Sequence, residues 1–184
     1  MSLVLQSSGG GSITVQEPAT ASNFTQTLPA ATGTVMVSGN QPTFRAFLPS
    51  NQTLSNATDT KITLTNEVFD TASCFNNTGS TVNGIPAYAF LPNVAGYYQI
   101  NAIVGGSASV SLVYNWIQIR RSSTEDSRAI YAPYGANSYG SVSNLIFLNG
   151  STDYVELFVQ LAGTGTLNAL ATYTMMSGVL VRAA

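Results

Sequence analysis

The sequence of 184 residues contains no histidine, one cysteine and one lysine, and only 8% of its residues are charged. Histidine is the side chain best suited to proton transfer near neutral pH, and it is the commonest metal ligand. A glycan hydrolase would need two carboxylates opposed across a cleft, whereas Glu125 and Asp126 are adjacent in a polar segment. We therefore expect a protein that is not an enzyme and that holds no metal ion or other cofactor.

The lone cysteine, Cys74, excludes an internal disulfide framework. We expect it to be buried and reduced, and the alternative is a reactive or intermolecular thiol. The net charge of −2 offers no basic surface for nucleic acid. No apolar run approaches the length that spans a bilayer, so we expect no membrane insertion. The first residues also lack the pattern of a secretory signal, which predicts assembly in the cytoplasm of the producing cell.

Charge is so scarce that serine, threonine, asparagine, glutamine and glycine must cover most of the surface. A monomer that is free in solution normally carries more charge. Two explanations fit this composition: a permanent assembly that hides surface between subunits, or selection for rigidity rather than solubility.

The chain changes character near residue 41. Residues 1–41 carry one charged side chain, Glu17, a glycine run at 9–11 and short strand-like pieces at 13–15, 25–28 and 34–37. Such pieces are too short and too often interrupted by proline to bury a core of their own. The sequence therefore predicts an extended attachment arm over residues 1–41 and a folded head over residues 42–184.

The head is a succession of short apolar runs separated by turn signals such as Asn83-Gly84 and Asn149-Gly150, with no helical period. This pattern is typical of a β-sandwich or jelly roll. The predicted strands are residues 43–48, 60–64, 67–69, 87–91, 96–104, 109–121, 129–131, 141–148, 153–161 and 167–181, the last with an interruption at 177–178.

Two predicted strands are apolar on both faces. Alternation in 153–161 places valine and leucine on one face and Tyr154, Glu156 and Phe158 on the other. The predicted faces of 109–121 are Leu112, Tyr114 and Trp116 on one side and Val113, Ile117 and Ile119 on the other. Because a strand that is apolar on both faces is covered on both faces, we expect a homotrimer with Tyr114, Trp116, Tyr154 and Phe158 at the subunit interface. The alternative cover is a loop folded back over the sheet.

Residues 122–128 form the most charged stretch of the chain and contain no apolar side chain before residue 129. They predict an exposed hairpin loop. Candidate contacts with an outside partner are Glu125, Asp126 and Arg128 in this loop, and Tyr134 and Tyr139 among small polar residues, a composition typical of adaptable binding loops. The alternative is a simple solvated turn.

Four motifs resemble the C1q/TNF-like jelly-roll family, in the family's order. GYYQINA at 96–102, after FLP at 90–92, resembles its "F-x-P…G-x-Y-x…A" segment, and VFDT at 68–71 followed by FN at 75–76 resembles the "VFDT…FN" stretch of bacterial and phage members. LNGSTDYV at 148–155 resembles its "L-x-x-GD-x-V" entry, with two residues between the glycine and the aspartate. TMMSGVLV at 174–181 resembles the closing "FSG-x-L" strand, with methionine in place of the aromatic residue. The resemblance covers residues 43–184.

The arm resembles a segment appended to many bacteriophage virion proteins. It reads GGSITVQ at 10–16, PATA at 18–21, TLP at 27–29 and ATGTV at 31–35. Together the two resemblances imply an all-β, ten-stranded jelly roll with an extended N-terminal arm, a non-enzymatic homotrimer located in the virion. Some members of the family bind calcium, but the acidic residues here show no recognisable ligand spacing.

The leading hypothesis is a capsid decoration (cement) protein, whose arm binds the major capsid protein or another virion protein. A tail fibre normally needs a stalk, and the chain shows no heptad, collagen or β-helix repeat. A short tail fibre or receptor-binding adhesin tip, with a glycan of the host surface as partner, is the alternative. A soluble lectin-like binding module is the third hypothesis, because the fold alone does not determine function.

Overall fold

The computed structural model describes residues 2–16 and 41–184, together with Ala19, Asn23, Thr25, Thr27 and Val37. The chain divides into two units, Met1–Gly33 and Thr34–Ala184. The predicted boundary at residue 41 stays a prediction, because most of residues 34–40 lie outside the described part. Within the described residues no helix has the length and apolar character that a membrane crossing requires.

The first unit contains an antiparallel hairpin of β1 (Ser2–Gln6) and β2 (Ser12–Gln16). Its turn is closed by backbone hydrogen bonds in which Ser7 N donates to Gly11 O at 2.7 Å and Gly10 N donates to Ser7 O at 3.1 Å. Gly10 has φ of 87°, a conformation that glycine adopts without steric cost. The sequence predicted the β2 strand but not β1. The predicted pieces at 25–28 and 34–37 lie outside the described residues, apart from Thr25, Thr27 and Val37.

The second unit is an antiparallel sandwich of two sheets, as the sequence predicted. Its strands are β3 (Thr43–Phe47), β4 (Gln52–Leu54), β5 (Thr60–Lys61), β6 (Asn66–Asp70), β7 (Ala89–Phe90), β8 (Gly96–Ala108), β9 (Ser111–Arg121), β10 (Thr124–Tyr131), β11 (Asn137–Leu148), β12 (Val155–Thr164), β13 (Leu167–Ala169) and β14 (Met175–Ala183). The five-stranded sheet has the order β10-β9-β12-β5, with β7 also paired to β12. In the seven-stranded sheet, β8 lies between β11 on one side and β13 and β14 on the other.

The hydrophobic core lies between the two sheets and follows strand alternation. In β8 the buried side chains include Tyr98, Ile100 and Ala102, and in β12 they include Leu157 and Val159. The predicted inner face of β12 is therefore confirmed. A stack of aromatic rings fills one part of the core: Phe44 lies 4.9 Å from Phe75 and 4.3 Å from Phe90, between ring centroids.

The alternation predicted for β9 is wrong at its start. Leu112 is buried and Val113 is 64% exposed, the reverse of the prediction, whereas Ile117 and Ile119 are buried as expected. The pairing of β9 with β12 shifts register between Ala162 and Gly163. A β-bulge at this point reverses which side chains face inward, and the sequence pattern did not predict it.

The interruption predicted at 177–178 is also misplaced. Gly178 lies inside β14, paired with Ile100 on one side and Phe44 on the other. The break falls instead at residues 170–174, between β13 and β14. There the Gly105 N–H donates a hydrogen bond to Tyr173 O, and Gly105 O accepts one from the Leu170 N–H. Glycine is needed at this position of the strand because the Phe44 ring occupies the space that a side chain would fill.

Candidate self-association surface

The outward side of the seven-stranded sheet carries several partly exposed apolar side chains on neighbouring strands. Five of them are between 39% and 53% exposed, and we call this set the apolar face: Tyr97, Ile103, Leu145, Phe147 and Val179. Scattered exposed apolar residues are normal on a protein surface, but a contiguous group marks an interaction site. This group is therefore the strongest candidate functional surface of the head.

Strand register brings these residues together. Phe147 of β11 pairs with Tyr97 of β8, and their rings meet edge to face at 5.4 Å. Leu145 and Val179 lie on either side of Gln99, in the neighbouring row of the sheet. Ile103 is paired with Met175 two rows further on. Alternation along β8 produces this arrangement, because the same strand sends Tyr98, Ile100 and Ala102 into the core.

A short row of uncharged polar side chains crosses the apolar face. Gln99 Nε2 donates to Ser143 Oγ at 2.7 Å, and Ser143 Oγ donates to Asn101 Oδ1 at 2.8 Å. Arg45, on the neighbouring strand β3, contacts the Met175 sulfur at 3.4 Å. An apolar surface with neutral polar groups at its centre can be buried against another protein at little desolvation cost.

The outward side of the five-stranded sheet is different, because ion pairs and hydrogen bonds between its own side chains cover its central part, although Ile130 on the edge strand β10 is 61% exposed. Arg120 forms an ion pair with Asp59, and Lys61 forms one with Glu156. Asp59 also accepts hydrogen bonds from Gln118 at 2.8 Å and from Gln160 at 3.2 Å. This network pairs the charged side chains at the centre of the sheet with one another within one chain.

Three of the four residues predicted at a subunit interface lie on this covered side. The Tyr114 and Trp116 rings stack with centroids 4.7 Å apart, and the Arg128 guanidinium lies 4.4 Å above Trp116. The Arg120 guanidinium lies 4.0 Å above the Phe158 ring. These contacts give each aromatic residue a cation or ring partner within the chain. Their role in an interface stays a prediction.

Tyr154 lies apart from the other three, at the turn between β9 and β10. Its hydroxyl is 2.9 Å from Ser123 Oγ, and its carbonyl oxygen accepts the Ser122 backbone N–H at 2.9 Å. The predicted loop over 122–128 is shorter than expected: only Ser122 and Ser123 form the turn, with φ of 48° and 67°, and β10 begins at Thr124. The charged side chains of this stretch therefore project from a strand.

The charges in β10 are paired within the chain. Glu125 forms an ion pair with Arg128, and Asp126 lies 3.8 Å from Arg121 and accepts a hydrogen bond from Asn144 at 2.7 Å. Tyr134 is 96% exposed between β10 and β11. Tyr139 lies on the same side of the seven-stranded sheet as the apolar face, and its ring meets Tyr173 at 5.2 Å. The proposed contact of these residues with an outside partner stays a prediction.

The titratable groups of the described residues offer no cluster of three or more potential metal ligands. Burial raises the pKa of the Cys74 thiol, which keeps it protonated and unreactive. The predicted burial of this cysteine is confirmed. Burial and the nearby charge of Asp70 raise the pKa of Glu67, and burial raises the pKa of Tyr98. The Tyr98 hydroxyl donates to Val94 O at 2.7 Å in a packed core rather than in a cleft.

No protein-family model matches the sequence, and no curated protein matches it. Several solved structures are similar to this chain. The chain is similar to murine APRIL, with a TM-score of 0.56 and 11% identity over 77% of this chain and 99% of that one. It is also similar to Eiger TNF from S. frugiperda, with a TM-score of 0.52 and 9% identity over 78% of this chain and 93% of that one. The chain has a TNF-like jelly-roll fold.

A third alignment, with the vertex protein P5 of PRD1, has a TM-score of 0.48 and 15% identity over 78% of this chain and 98% of that one. At these identities the similarities establish the fold of the chain and not its role.

Proposed function

We propose that this chain is a non-enzymatic structural protein that forms a homotrimer, with the apolar face of each copy buried against its neighbours. The observation that carries the proposal is the contrast between the two sheets. The central part of the outward side of one is covered by its own ion pairs and cation–π contacts, with Ile130 exposed on the edge strand β10, whereas the apolar face of the other is about half exposed within the described chain.

Identical copies are the occupants that this face suits best. Its central row of Gln99, Ser143 and Asn101 is uncharged, and copies that keep the neighbouring Arg45 and Arg182 in solvent meet without repulsion between like charges. Low charge over the whole chain supports the same conclusion, since charged residues are depleted in the cores of interfaces. The number three comes from the resemblance of the sequence to C1q/TNF-like jelly rolls.

We further propose that residues 1–41 attach this trimer to a bacteriophage particle, as a capsid decoration protein bound to the major capsid protein or another virion protein. The resemblance of the arm to segments of virion proteins supports this role. A location at the tail, as a short fibre or adhesin tip, is the alternative outcome of the attachment experiment described in the Discussion.

A pair of charge substitutions tests the interface. Leu145→Asp places a carboxylate in the apolar face, whereas Val113→Asp places one at an exposed apolar position of β9; Leu145 is 53% exposed and Val113 is 64% exposed. We expect light scattering to show trimers for the parent and for Val113→Asp. We expect Leu145→Asp to dissociate, because an uncompensated buried charge costs about 3–5 kcal/mol.

Phe158→Asp distinguishes the two sheets. If Phe158→Asp dissociates the trimer while Leu145→Asp does not, the interface lies on the five-stranded sheet, as the sequence alone predicted, and the apolar face is not the contact. Circular dichroism on each variant separates dissociation from unfolding.

A further inference from the structure

The hairpin of β1 and β2 is amphipathic. Cross-strand pairing places Leu3 opposite Val15 and Leu5 opposite Ile13, so that all four side chains share one side of the hairpin. We call this set the hairpin face, and each of its members is more than half exposed. The other side is mainly polar, with Val4 opposite Thr14 as the apolar exception.

An isolated hairpin of this kind is marginally stable in water at best. A β-structure becomes independently stable with three or more strands and a covered hydrophobic side. In the described structure β1 and β2 pair only with each other, and the hairpin face is exposed. The hairpin face therefore needs a partner surface.

We propose that the hairpin faces of the copies in one trimer pack against one another and form a second, smaller association site. The proposal rests on the homotrimer proposed above and adds a contact outside the head. Residues 1–16 contain no charged side chain, the first being Glu17. Identical faces of this kind meet without buried charge, and their leucine, valine and isoleucine side chains offer only apolar surface.

Covalent connection to one trimer favours copies over other partners. Residues 17–41 join each hairpin to its head, and a chain of that length spans at most about 85 Å. The hairpins of one trimer are therefore confined to a common volume, where their effective concentration reaches the millimolar range. A surface as small as the hairpin face associates under those conditions, although it would bind a free partner only weakly.

The packing leaves the outer edges of both strands open. Neither β1 nor β2 has a second strand beside it in the described structure. Once the apolar sides are buried against copies, these edges are the part of the hairpin that remains for main-chain hydrogen bonds to a particle protein. The hairpin association would thus present several strand edges together.

Disulfide trapping on the full-length protein tests the proposal. Ile13→Cys places a thiol on the hairpin face, and Thr14→Cys places one on the adjacent residue of the opposite side. Native Cys74 is buried, so the parent protein measures the background. Under copper–phenanthroline oxidation we expect Ile13→Cys to form two-chain disulfides at least about tenfold faster than Thr14→Cys, at a rate that dilution by about a hundredfold does not change.

Leu5→Cys is a second variant on the hairpin face, opposite Ile13, and it should form disulfides as fast as Ile13→Cys. Equal trapping for Ile13→Cys and Thr14→Cys in a protein that light scattering shows to be trimeric would overturn the hairpin contact and leave the trimer standing. Trapping that disappears on dilution would mean contact between separate trimers and would also overturn the proposal. If light scattering shows a monomer, the proposed trimer is wrong, and the hairpin contact that depends on it is wrong as well.

Discussion

At the scale of single residues, close packing between the sheets decides which positions tolerate change. A Cβ added to Gly178 would lie 2.7 Å from Ile100 Cδ1 and 2.8 Å from Phe44 Cε1. Both neighbours are buried side chains of the core, held in place by the Phe44 aromatic stack. The missing side chain of Gly178 therefore allows β14 to pack closely against Ile100 and Phe44.

Replacing Gly178 with alanine should destabilise the head by about 1–3 kcal/mol, because overpacking forces the Phe44 and Ile100 side chains from their positions. Gly11→Ala is the matched control, since nothing lies within 4 Å of an added Cβ there. Urea unfolding followed by tryptophan fluorescence measures both variants. Equal midpoints for Gly178→Ala and the parent would show that the core relaxes freely around the added methyl group.

At the scale of elements, turn geometry and register explain where strands begin and end. Ser122 and Ser123 join β9 to β10 with positive φ at both positions, the geometry of a type I′ hairpin turn. Serine is a poor residue for this conformation, whereas asparagine tolerates it. The turn therefore carries a small strain that the sequence could relieve.

Ser122→Asn should raise the stability of the head by about 0.5–1 kcal/mol, through relief of this backbone strain. Ser50→Asn changes an exposed serine that does not have positive φ, and it should leave the melting temperature unchanged. Calorimetry on both variants makes the comparison. A Ser122→Asn protein that melts at or below the parent temperature would contradict the role assigned to the turn.

Strand alternation made much of the sandwich predictable, and irregularities limited the rest. The inner side of β12 could be predicted because its alternation is unbroken, whereas the bulge opposite Gly163 reversed the start of β9. The apolar face was missed, although Tyr97 and Ile103 alternate visibly with buried Tyr98 and Ile100. The interface was predicted on the other sheet because β9 and β12 carry bulky aromatic residues. The sequence does not show that Arg120 packs on Phe158 and Arg128 on Trp116, since these pairs meet only in the fold.

At the scale of the whole molecule, the two units have separate tasks in this account: the head associates through its apolar face, and the arm attaches the trimer elsewhere. The head holds its own buried core, whereas the hairpin of the first unit has no buried side chain among its described residues. A domain with a core of its own folds independently of segments outside it.

A truncated chain that begins at Gln41 should therefore remain folded and trimeric, but it should not bind phage particles stripped of this protein. Circular dichroism, light scattering and a sedimentation binding assay measure the three properties. Undiminished binding by the truncated chain would place attachment in the head. Binding of the full chain at the tail alone would replace decoration with the fibre role.

The central claim is that the apolar face is buried between copies of the chain, and native mass spectrometry of the full-length protein tests it most directly. The account predicts a dominant species of three times the 19.3 kDa chain mass at micromolar concentration, lost in Leu145→Asp and retained in Val113→Asp. A parent protein that gives only the single-chain mass at that concentration would contradict it.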